Sequence, residues 1–125
     1  MQREQGASLD FLRIRPSEPM QFIDKAEIAR CVTYRQAVRL AWERRQPRGM
    51  TMRTLAEICG MYPQHVSSYL HEDALMPSGA PRLSLPADKI GAFEAAVGNY
   101  AVSQYLIRLG HLTIMQEVIA AQGAV

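Results

Sequence analysis

Apolar residues recur every three or four positions along most of the chain, a spacing that is typical of helices. The first such stretch predicts a helix from about Lys25 to Arg45, with Asp24 in the N-cap position. Pro47 and Gly49 follow this stretch and end the helix, because both residues disfavour helical backbone. No hairpin signal of the Asn-Gly kind occurs in the sequence. The pattern therefore predicts an all-α fold, a compact bundle of about five to six helices.

Two short helical patterns meet at a glycine within TMRTLAEICGMYPQHVSSYLHE, which begins at Thr51. Thr51 is a suitable N-cap for the first of them, residues 52–59. Gly60 ends this helix, because glycine adopts a positive φ without steric cost. Pro63 suits the first position of the second helix, residues 63–71, where its missing N–H is not needed. The segment thus predicts a helix-turn-helix.

The second of these helices has one apolar side and one polar side. Val66, together with Tyr69 or Leu70, is predicted to face the core. Ala56 in the first helix is small enough to lie where the two helices come closest. A short polar ridge on the opposite side fits a DNA major groove, which admits one α-helix. The polar residues that are then left facing outward are Gln64, His65, Ser67 and Ser68.

The rest of the chain divides into a loop and three predicted helices. The loop is the Pro-, Gly- and Ser-rich stretch MPSGAPRLSLP, residues 76–86. The helices are predicted from Pro86 to Gly98, over NYAVSQYLIRLG at 99–110, and over HLTIMQEVIAAQ at 111–122. The last two helices are more apolar than the surface of a monomer needs. A buried core and a twofold dimer interface explain this apolar character about equally well.

Residues 1–22 show no sustained period and contain two prolines, so we expect an extended or mobile arm. Arg13 and Arg15 in this arm suggest insertion into a DNA minor groove, and a frayed, solvated tail is the alternative. The predicted organisation is this arm followed by one helix-turn-helix domain over residues 23–125, with C-terminal helices that are candidates for a dimer interface.

Charge is unevenly distributed, although the net charge is only +2. Residues 30–53 hold seven arginines and a single acid, Glu43, which gives this segment a charge of +6. A basic block of this kind suggests a polyanionic partner, and a solvated arginine-rich helix face is the alternative. Arginine also suits phosphate and guanine, because its guanidinium donates two parallel hydrogen bonds. The charge therefore adds nucleic acid as a candidate partner, on equal terms with that alternative.

The sequence contains no pattern that indicates catalysis or a bound cofactor. Its three histidines lack the spacing of a metal site. The pair Ser67 and Ser68 has no Gly-x-Ser-x-Gly context, and no phosphate-binding glycine-rich loop occurs. Cys59 lies in an apolar position and is expected to be a small core residue. We expect a protein that is not an enzyme and that has no cofactor, no metal and no small-molecule ligand.

The chain also lacks the apolar segments that membrane proteins and secreted proteins carry. No apolar run approaches the roughly 18 residues of a membrane span. Charged residues interrupt the N-terminal segment, where a secretory signal would lie. These features predict a cytoplasmic protein with reduced thiols and no membrane partner.

Residues 51–72 resemble the helix-turn-helix of phage repressor and Cro-like transcription regulators. The resemblance covers about 20 residues closely and extends loosely to the preceding helix at 30–45. The stretch LSLPADKIGAFEAAVGN, residues 83–99, is similar to the short helix that often follows this motif in small phage-derived regulators. The motif residues that carry the resemblance are Leu55, Ala56, Cys59, Gly60, Met61, Val66 and Tyr69.

The resemblance implies which residues contact DNA. In such regulators bases are read by the start of the second helix and by the pair after its buried valine, which here are Pro63, Gln64, Ser67 and Ser68. Gln64 is suited to adenine, and the two serines are suited to a base edge or to phosphate. The expected contacts with the DNA backbone are Arg48, Thr51, Arg53, Tyr62 and His65.

Two residues depart from the family pattern. Met52 stands where a glutamine often begins the first helix, and Pro63 has no N–H to donate to a base. We therefore expect few direct hydrogen bonds to bases, and we expect recognition of DNA shape to supply a larger share of the specificity. The resemblance implies a sequence-specific transcription regulator that binds double-stranded DNA as a homodimer. A protein-interaction module or antitoxin-like adaptor on the same scaffold is the alternative function.

Overall fold

Helices provide nearly all the regular structure of residues 19–123, which are the residues that the computed structural model describes. In this part of the chain, β pairing is limited to two isolated bridges, between Gln21 and Asn99 and between Leu75 and Pro81. The predicted all-α bundle of about five to six helices is therefore confirmed. The helices are α1 (Lys25–Ala29), α2 (Tyr34–Glu43), α3 (Met52–Cys59), α4 (Pro63–Tyr69), α5 (Ile90–Val97), preceded by a 3-10 turn at Ala87–Lys89, and α6 (Ala101–Gly123).

The prediction of one helix from Lys25 to Arg45 is wrong, because the chain divides there into α1 and α2. Thr33 is the N-cap of α2, and its hydroxyl accepts a hydrogen bond from the N–H of Gln36 at 3.2 Å. The side chain of Gln36 in turn accepts from the N–H groups of Thr33 at 3.2 Å and Val32 at 2.6 Å. This capping box fixes a new helix start and interrupts the run that the apolar spacing alone suggested.

The core lies where α2, α3 and α5 meet the first turns of α6. Helix α2 packs against α6, and α3 packs against both α4 and α5. Burial of each larger apolar side chain at this junction contributes about 1.5–3 kcal/mol. Helix α4 is thus attached to the core through α3. The apolar side chains that are almost fully buried are Ala37, Val38, Ala41, Leu55, Ala56, Val66, Phe93, Val97, Ala101 and Val102.

Asn99 joins the end of α2 to the start of α6 from inside the core. The residue is fully buried, and its Nδ2 donates to the carbonyls of Ala41 at 3.0 Å and Arg44 at 3.3 Å. Its Oδ1 accepts from the N–H of Ala101 at 3.1 Å. Because both polar atoms of the amide are bonded, this residue is buried without an unsatisfied group.

Glu94 on α5 holds the start of α6 from a second side. Its buried carboxylate accepts two hydrogen bonds from Ser103, one from the backbone N–H and one from the hydroxyl, both at 2.7 Å. It therefore caps the first turn of α6, where free N–H groups favour a negative charge. Burial nevertheless raises the pKa of Glu94, and the hydrogen bonds offset that rise only in part.

The described end of the predicted N-terminal arm, residues 19–22, is attached to the helical body. The N–H of Gln21 donates to the carbonyl of Gly98 at 2.9 Å, and its carbonyl accepts from Tyr100 at 3.1 Å. The following residue, Ile23, is buried and exchanges two hydrogen bonds with the side chain of Gln104, both at 2.9 Å. The described part of the predicted arm is thus hydrogen-bonded to the helical body. The minor-groove prediction for Arg13 and Arg15 lies outside the described residues.

Helix α6 is a single helix of 23 residues, so the prediction of two helices that separate at Gly110 is wrong. One glycine costs about 1 kcal/mol in a helix, and the leucine, arginine, methionine and glutamine around it favour helix enough to offset that cost. After Tyr105 the described residues of α6 are all exposed. The segment Leu106–Gly123 is about 27 Å long, and only its first two turns, as far as Leu112, run beside α1. Within residues 19–123 no helix combines the length and the apolar character that crossing a membrane requires.

Candidate nucleic-acid interface

The turn between α3 and α4 has the geometry that the sequence predicts. Gly60 adopts φ 66° and ψ 40°, in the left-handed region that favours glycine. The N–H of Met61 donates to the carbonyl of Ala56 at 2.8 Å, and the N–H of Gly60 donates to that of Glu57 at 3.4 Å. This pair of bonds is a Schellman motif, which ends α3. The last carbonyl of α3, that of Cys59, accepts from Lys89 Nζ at 3.2 Å.

The inward side of α4 is also as predicted. Val66 is 1% exposed, and Tyr69 and Leu70 are both buried. Ala56 and Cys59 from α3 are buried with them in the same cluster. The helix ends at Tyr69, two residues before the predicted end. One side of α4 is thus fixed against the core, which decides which residues remain on its other side.

The four residues that are predicted to read bases divide into two groups. Pro63, at the first position of α4, is exposed, and so are Gln64 and Ser67. Ser68 is half-buried, and its hydroxyl oxygen accepts a hydrogen bond from the N–H of Leu83 at 2.9 Å. Ser68 therefore holds the loop that follows α4, and its predicted role at a base edge competes with this contact. Gln64 and Ser67 are the polar side chains at this position that solvent reaches.

Two of the predicted backbone-contacting residues form an aromatic pair at the start of α4. Tyr62 is exposed, and its ring meets that of His65 edge-on with centroids 5.2 Å apart. His65 is half-buried, and its ring lies 6.3 Å from that of Tyr69. The pair places a phenol hydroxyl and an imidazole beside Gln64, where both are suited to contact with phosphate or sugar.

The other three predicted backbone contacts lie at the start of α3. Thr51 is its N-cap, and its hydroxyl accepts from the N–H of Thr54 at 3.1 Å. Arg53 is the second residue of α3, and Arg48 lies in the turn before it, and both are exposed. Neither guanidinium makes a hydrogen bond or an ion pair to another described residue, so both are available for phosphate.

Arg35 of the basic block holds the opposite end of α4. Its Nη1 donates to the carbonyls of Ser68 at 2.6 Å and of Tyr69 and His71, both at 3.1 Å. Its Nη2 donates to the carbonyl of Leu83 at 2.9 Å. The last carbonyls of a helix have no partner within it and carry a partial negative charge, so a guanidinium stabilises them. Arg35 therefore fixes α4 and the loop after it in one position.

Arg39, one turn further along α2, supports the same end. Its Nε donates to the carbonyl of Leu70 at 3.2 Å, and its Nη2 lies 3.7 Å from the carboxylate of Glu43. Burial lowers the pKa of Arg35, and the positive charges of Arg82 and Arg39 lower it further. We call Arg35 and Arg39 the arginine clamp. The clamp holds the predicted recognition helix and was not foreseen from the sequence.

Two further arginines of the basic block are also held within the chain. Arg44 forms an ion pair with Glu27 of α1. Arg45 lies over the ring of Trp42, with Cζ 3.9 Å from the centroid, and donates to the carbonyls of Trp42, Met50 and Arg48 at 2.9, 3.1 and 3.3 Å. With the clamp, this accounts for four of the seven arginines. The charge count thus overstated the number of arginines that are available to a partner.

The loop at residues 71–86 forms a small hairpin beside the end of α4. The N–H of Met76 donates to the carbonyl of Ala80 at 2.7 Å, and the N–H of Arg82 donates to that of Ala74 at 2.9 Å. This region is a loop, as predicted, and two acids near its start, Glu72 and Asp73, are exposed. They place negative charge near the end of α4, away from Gln64.

Cysteines and possible metal ligands were the other candidates for a site within residues 19–123. Burial raises the pKa of the Cys59 thiol to about 11, so this residue is a neutral thiol in the core, in agreement with its prediction as a core residue. Among residues 19–123, no three histidine, cysteine or acidic side chains are grouped as ligands for a metal ion.

Models of protein families, curated proteins and solved structures were compared with the chain, and none matches it. The resemblance to phage repressor and Cro-like regulators therefore depends on the motif residues and on the geometry described above.

Proposed function

We propose that the protein is a sequence-specific, DNA-binding transcription regulator that acts in the cytoplasm as a homodimer. One observation carries the proposal: α4 presents Gln64 and Ser67 to solvent while its other side is fixed by Val66 and by the arginine clamp. A helix that is held at one end and along one side presents its polar side chains in a defined position, which base recognition requires.

In the proposed complex α4 enters the major groove with its N-terminal end first. The amide of Gln64 accepts from N6 and donates to N7 of one adenine, and Ser67 contacts the neighbouring base edge. Arg48, Arg53 and the first N–H groups of α3 contact phosphates, because the positive end of the helix dipole attracts them. Pro63 contacts the groove without donating a hydrogen bond, so part of the specificity comes from the shape of the DNA groove.

The number of free arginines sets the expected salt dependence. Each neutralised phosphate contributes about −0.9 to the slope of log K against log salt concentration. With Arg48 and Arg53 as the phosphate contacts, the slope is roughly −2 per subunit. A steeper slope would mean that arginines of the clamp also reach DNA, which their contacts with α4 carbonyls disfavour.

The experiment is the selection of bound sites from a random duplex pool, followed by anisotropy titrations of the selected duplex and its single-base variants. Gln64→Ala should lose about 1–3 kcal/mol of discrimination at one base position and leave the others unchanged. Arg53→Gln is the matched variant at a phosphate contact, and it should weaken binding to all sequences alike and reduce the salt slope by about one. An unchanged preference in Gln64→Ala would refute the site.

A protein-interaction module is the second candidate, and two observations favour it. Four of the seven basic-block arginines are held internally, and α6 exposes a long apolar surface. In that case random duplex would not bind at low salt, and a protein partner would be retained in a pull-down through α6. The titrations above separate the two functions, because a regulator binds random duplex weakly and its affinity for that duplex falls steeply as the salt concentration rises.

A further inference from the structure

The exposed part of α6 carries a large apolar surface that nothing in the described chain covers. Eight large apolar side chains beyond Tyr105 are between 38% and 72% exposed. Together they expose on the order of 800 Å², distributed around the helix, whereas exposed large apolar side chains on a monomer are usually scattered singly. Only two residues of this segment, Arg108 and Glu117, carry a full charge. The eight are Leu106, Ile107, Leu109, Leu112, Ile114, Met115, Val118 and Ile119.

We propose that a second copy of the chain covers the side of this surface that carries Leu109, Leu112 and Ile119, with the two α6 helices antiparallel and paired along that line. The proposal deepens the homodimer of the proposed function, because it names the surface and the orientation.

The seam is defined by the spacing of the buried residues. Val102 and Tyr105 face the core, and Leu109, Leu112 and Ile119 continue the same line at intervals of three and four, with Gln116 as its polar member. Residues at such intervals lie on one face of a helix and pack into a facing helix. The face that α6 buries in its own domain therefore continues, without a cover, beyond that domain.

The orientation follows from where the domain sits on this seam. Because Val102 and Tyr105 are buried by their own domain, that domain occupies the seam at the start of α6. A parallel partner would bring its own domain to the same place, and the two domains would collide. An antiparallel partner instead brings the free end of its helix there. Such a pairing is isologous and closes as a dimer.

A groove at this place is suited to receive the free end. It has a volume of about 240 Å³, opens beside α6, and is lined on the opposite side by Ala29, Cys31 and Val32. Val32 is 77% exposed, so the apolar surface of α6 continues onto the domain. The antiparallel register that pairs Leu109 with the partner's Ile119 places that side chain over this groove. The surface and the groove that complements it thus belong to the same molecule.

The test measures the mass of the full chain by sedimentation equilibrium without DNA. Wild type should have twice the mass of one chain, and Ile119→Glu should raise the dissociation constant of the dimer on the order of 100-fold or more, because it places a carboxylate in each of the two apolar contacts with Leu109. Ile114→Glu is the matched control, since Ile114 and Ile119 are 65% and 61% exposed but Ile114 lies on the side of α6 away from the seam. This variant should remain dimeric.

Orientation is tested by cross-linking with a short bis-maleimide in a Cys31→Ser background. Leu109→Cys and Ile119→Cys should cross-link when the two proteins are mixed, and neither should cross-link by itself. Cross-linking of Ile119→Cys alone would indicate a parallel pair and overturn the proposal. A monomeric wild type would also overturn it, and would leave residues 1–18 or a different protein as the cover. Gln64→Ala should remain dimeric, so failure of the dimer and failure of DNA recognition are distinguishable.

Discussion

Replacing Arg35 tests whether the basic block supports α4 or contacts DNA. Arg35 donates four hydrogen bonds to backbone carbonyls, two in the last turn of α4 and two in the following loop. Arg35→Leu keeps the aliphatic stem and removes all four. A hydrogen bond from a charged donor contributes about 1.5–3 kcal/mol, but the four share one guanidinium and water reaches the Leu83 carbonyl. We therefore expect a loss of about 3 kcal/mol in the free energy of unfolding.

The assay is urea unfolding of Arg35→Leu and of a matched variant, Arg53→Leu, with circular dichroism as the measure of the folded fraction. Arg53 is exposed, and its guanidinium makes no hydrogen bond or ion pair with another residue of the described part of the chain, so its replacement should change the free energy of unfolding by less than about 0.5 kcal/mol. The effects on DNA should be reversed: Arg53→Leu weakens binding to all duplexes, and Arg35→Leu, once corrected for its folded fraction, keeps the wild-type salt slope. A loss below about 1 kcal/mol in Arg35→Leu, or a reduced salt slope, would refute the structural role of the clamp.

Two further replacements test the residue that caps α6 and the turn that precedes α4. Because burial raises the pKa of Glu94, the native state binds a proton more readily than the unfolded state, and stability falls as pH rises through the raised pKa. Glu94→Gln should therefore flatten the free energy of unfolding as pH rises above the ordinary glutamate pKa of about 4.3, and an unchanged pH profile would contradict this account. Gly60→Ala should cost about 1–2 kcal/mol through its φ alone, since the added Cβ lies 3.8 Å from Lys89 Nζ. Gly110→Ala, within α6, should not destabilise, and equal losses at both glycines would show that φ is not the cause.

The features that the sequence predicted correctly depend on neighbouring residues. Gly60 ends α3 because of its own φ, and Pro63 begins α4 because the first helical position needs no N–H. Val66 is buried because its spacing from Tyr69 places both on one side of the helix. Each of these rules involves residues within about one turn of the chain, so contacts with distant residues do not override it here.

The features that the sequence did not predict depend on distant residues or on competing local signals. Arg35 bonds carbonyls that are 33 to 48 positions away, and no pattern of charge along the chain indicates such acceptors. The start of α2 is different, because Thr33 and Gln36 form a capping box that the local sequence contains. The apolar spacing continues across this capping box and favoured one uninterrupted helix instead. Gly110 alone is the basis for predicting a helix end at this position, and no proline or capping residue beside it supports that end.

Internal use of the arginines connects the two proposals. Arg35 and Arg39 are bonded to carbonyls of α4 and of the residue after it. Under the proposed function, one subunit would therefore have Arg48 and Arg53 for phosphates and Gln64 and Ser67 for bases. So few contacts give weak binding to a single half-site. Joining two subunits through α6 makes the second half-site contact intramolecular, which raises affinity about 10²–10⁴-fold without any new contact to DNA. Ile119→Glu should then weaken operator binding by a similar factor, although Ile119 lies on the exposed end of α6 and not on the proposed DNA-contacting surface.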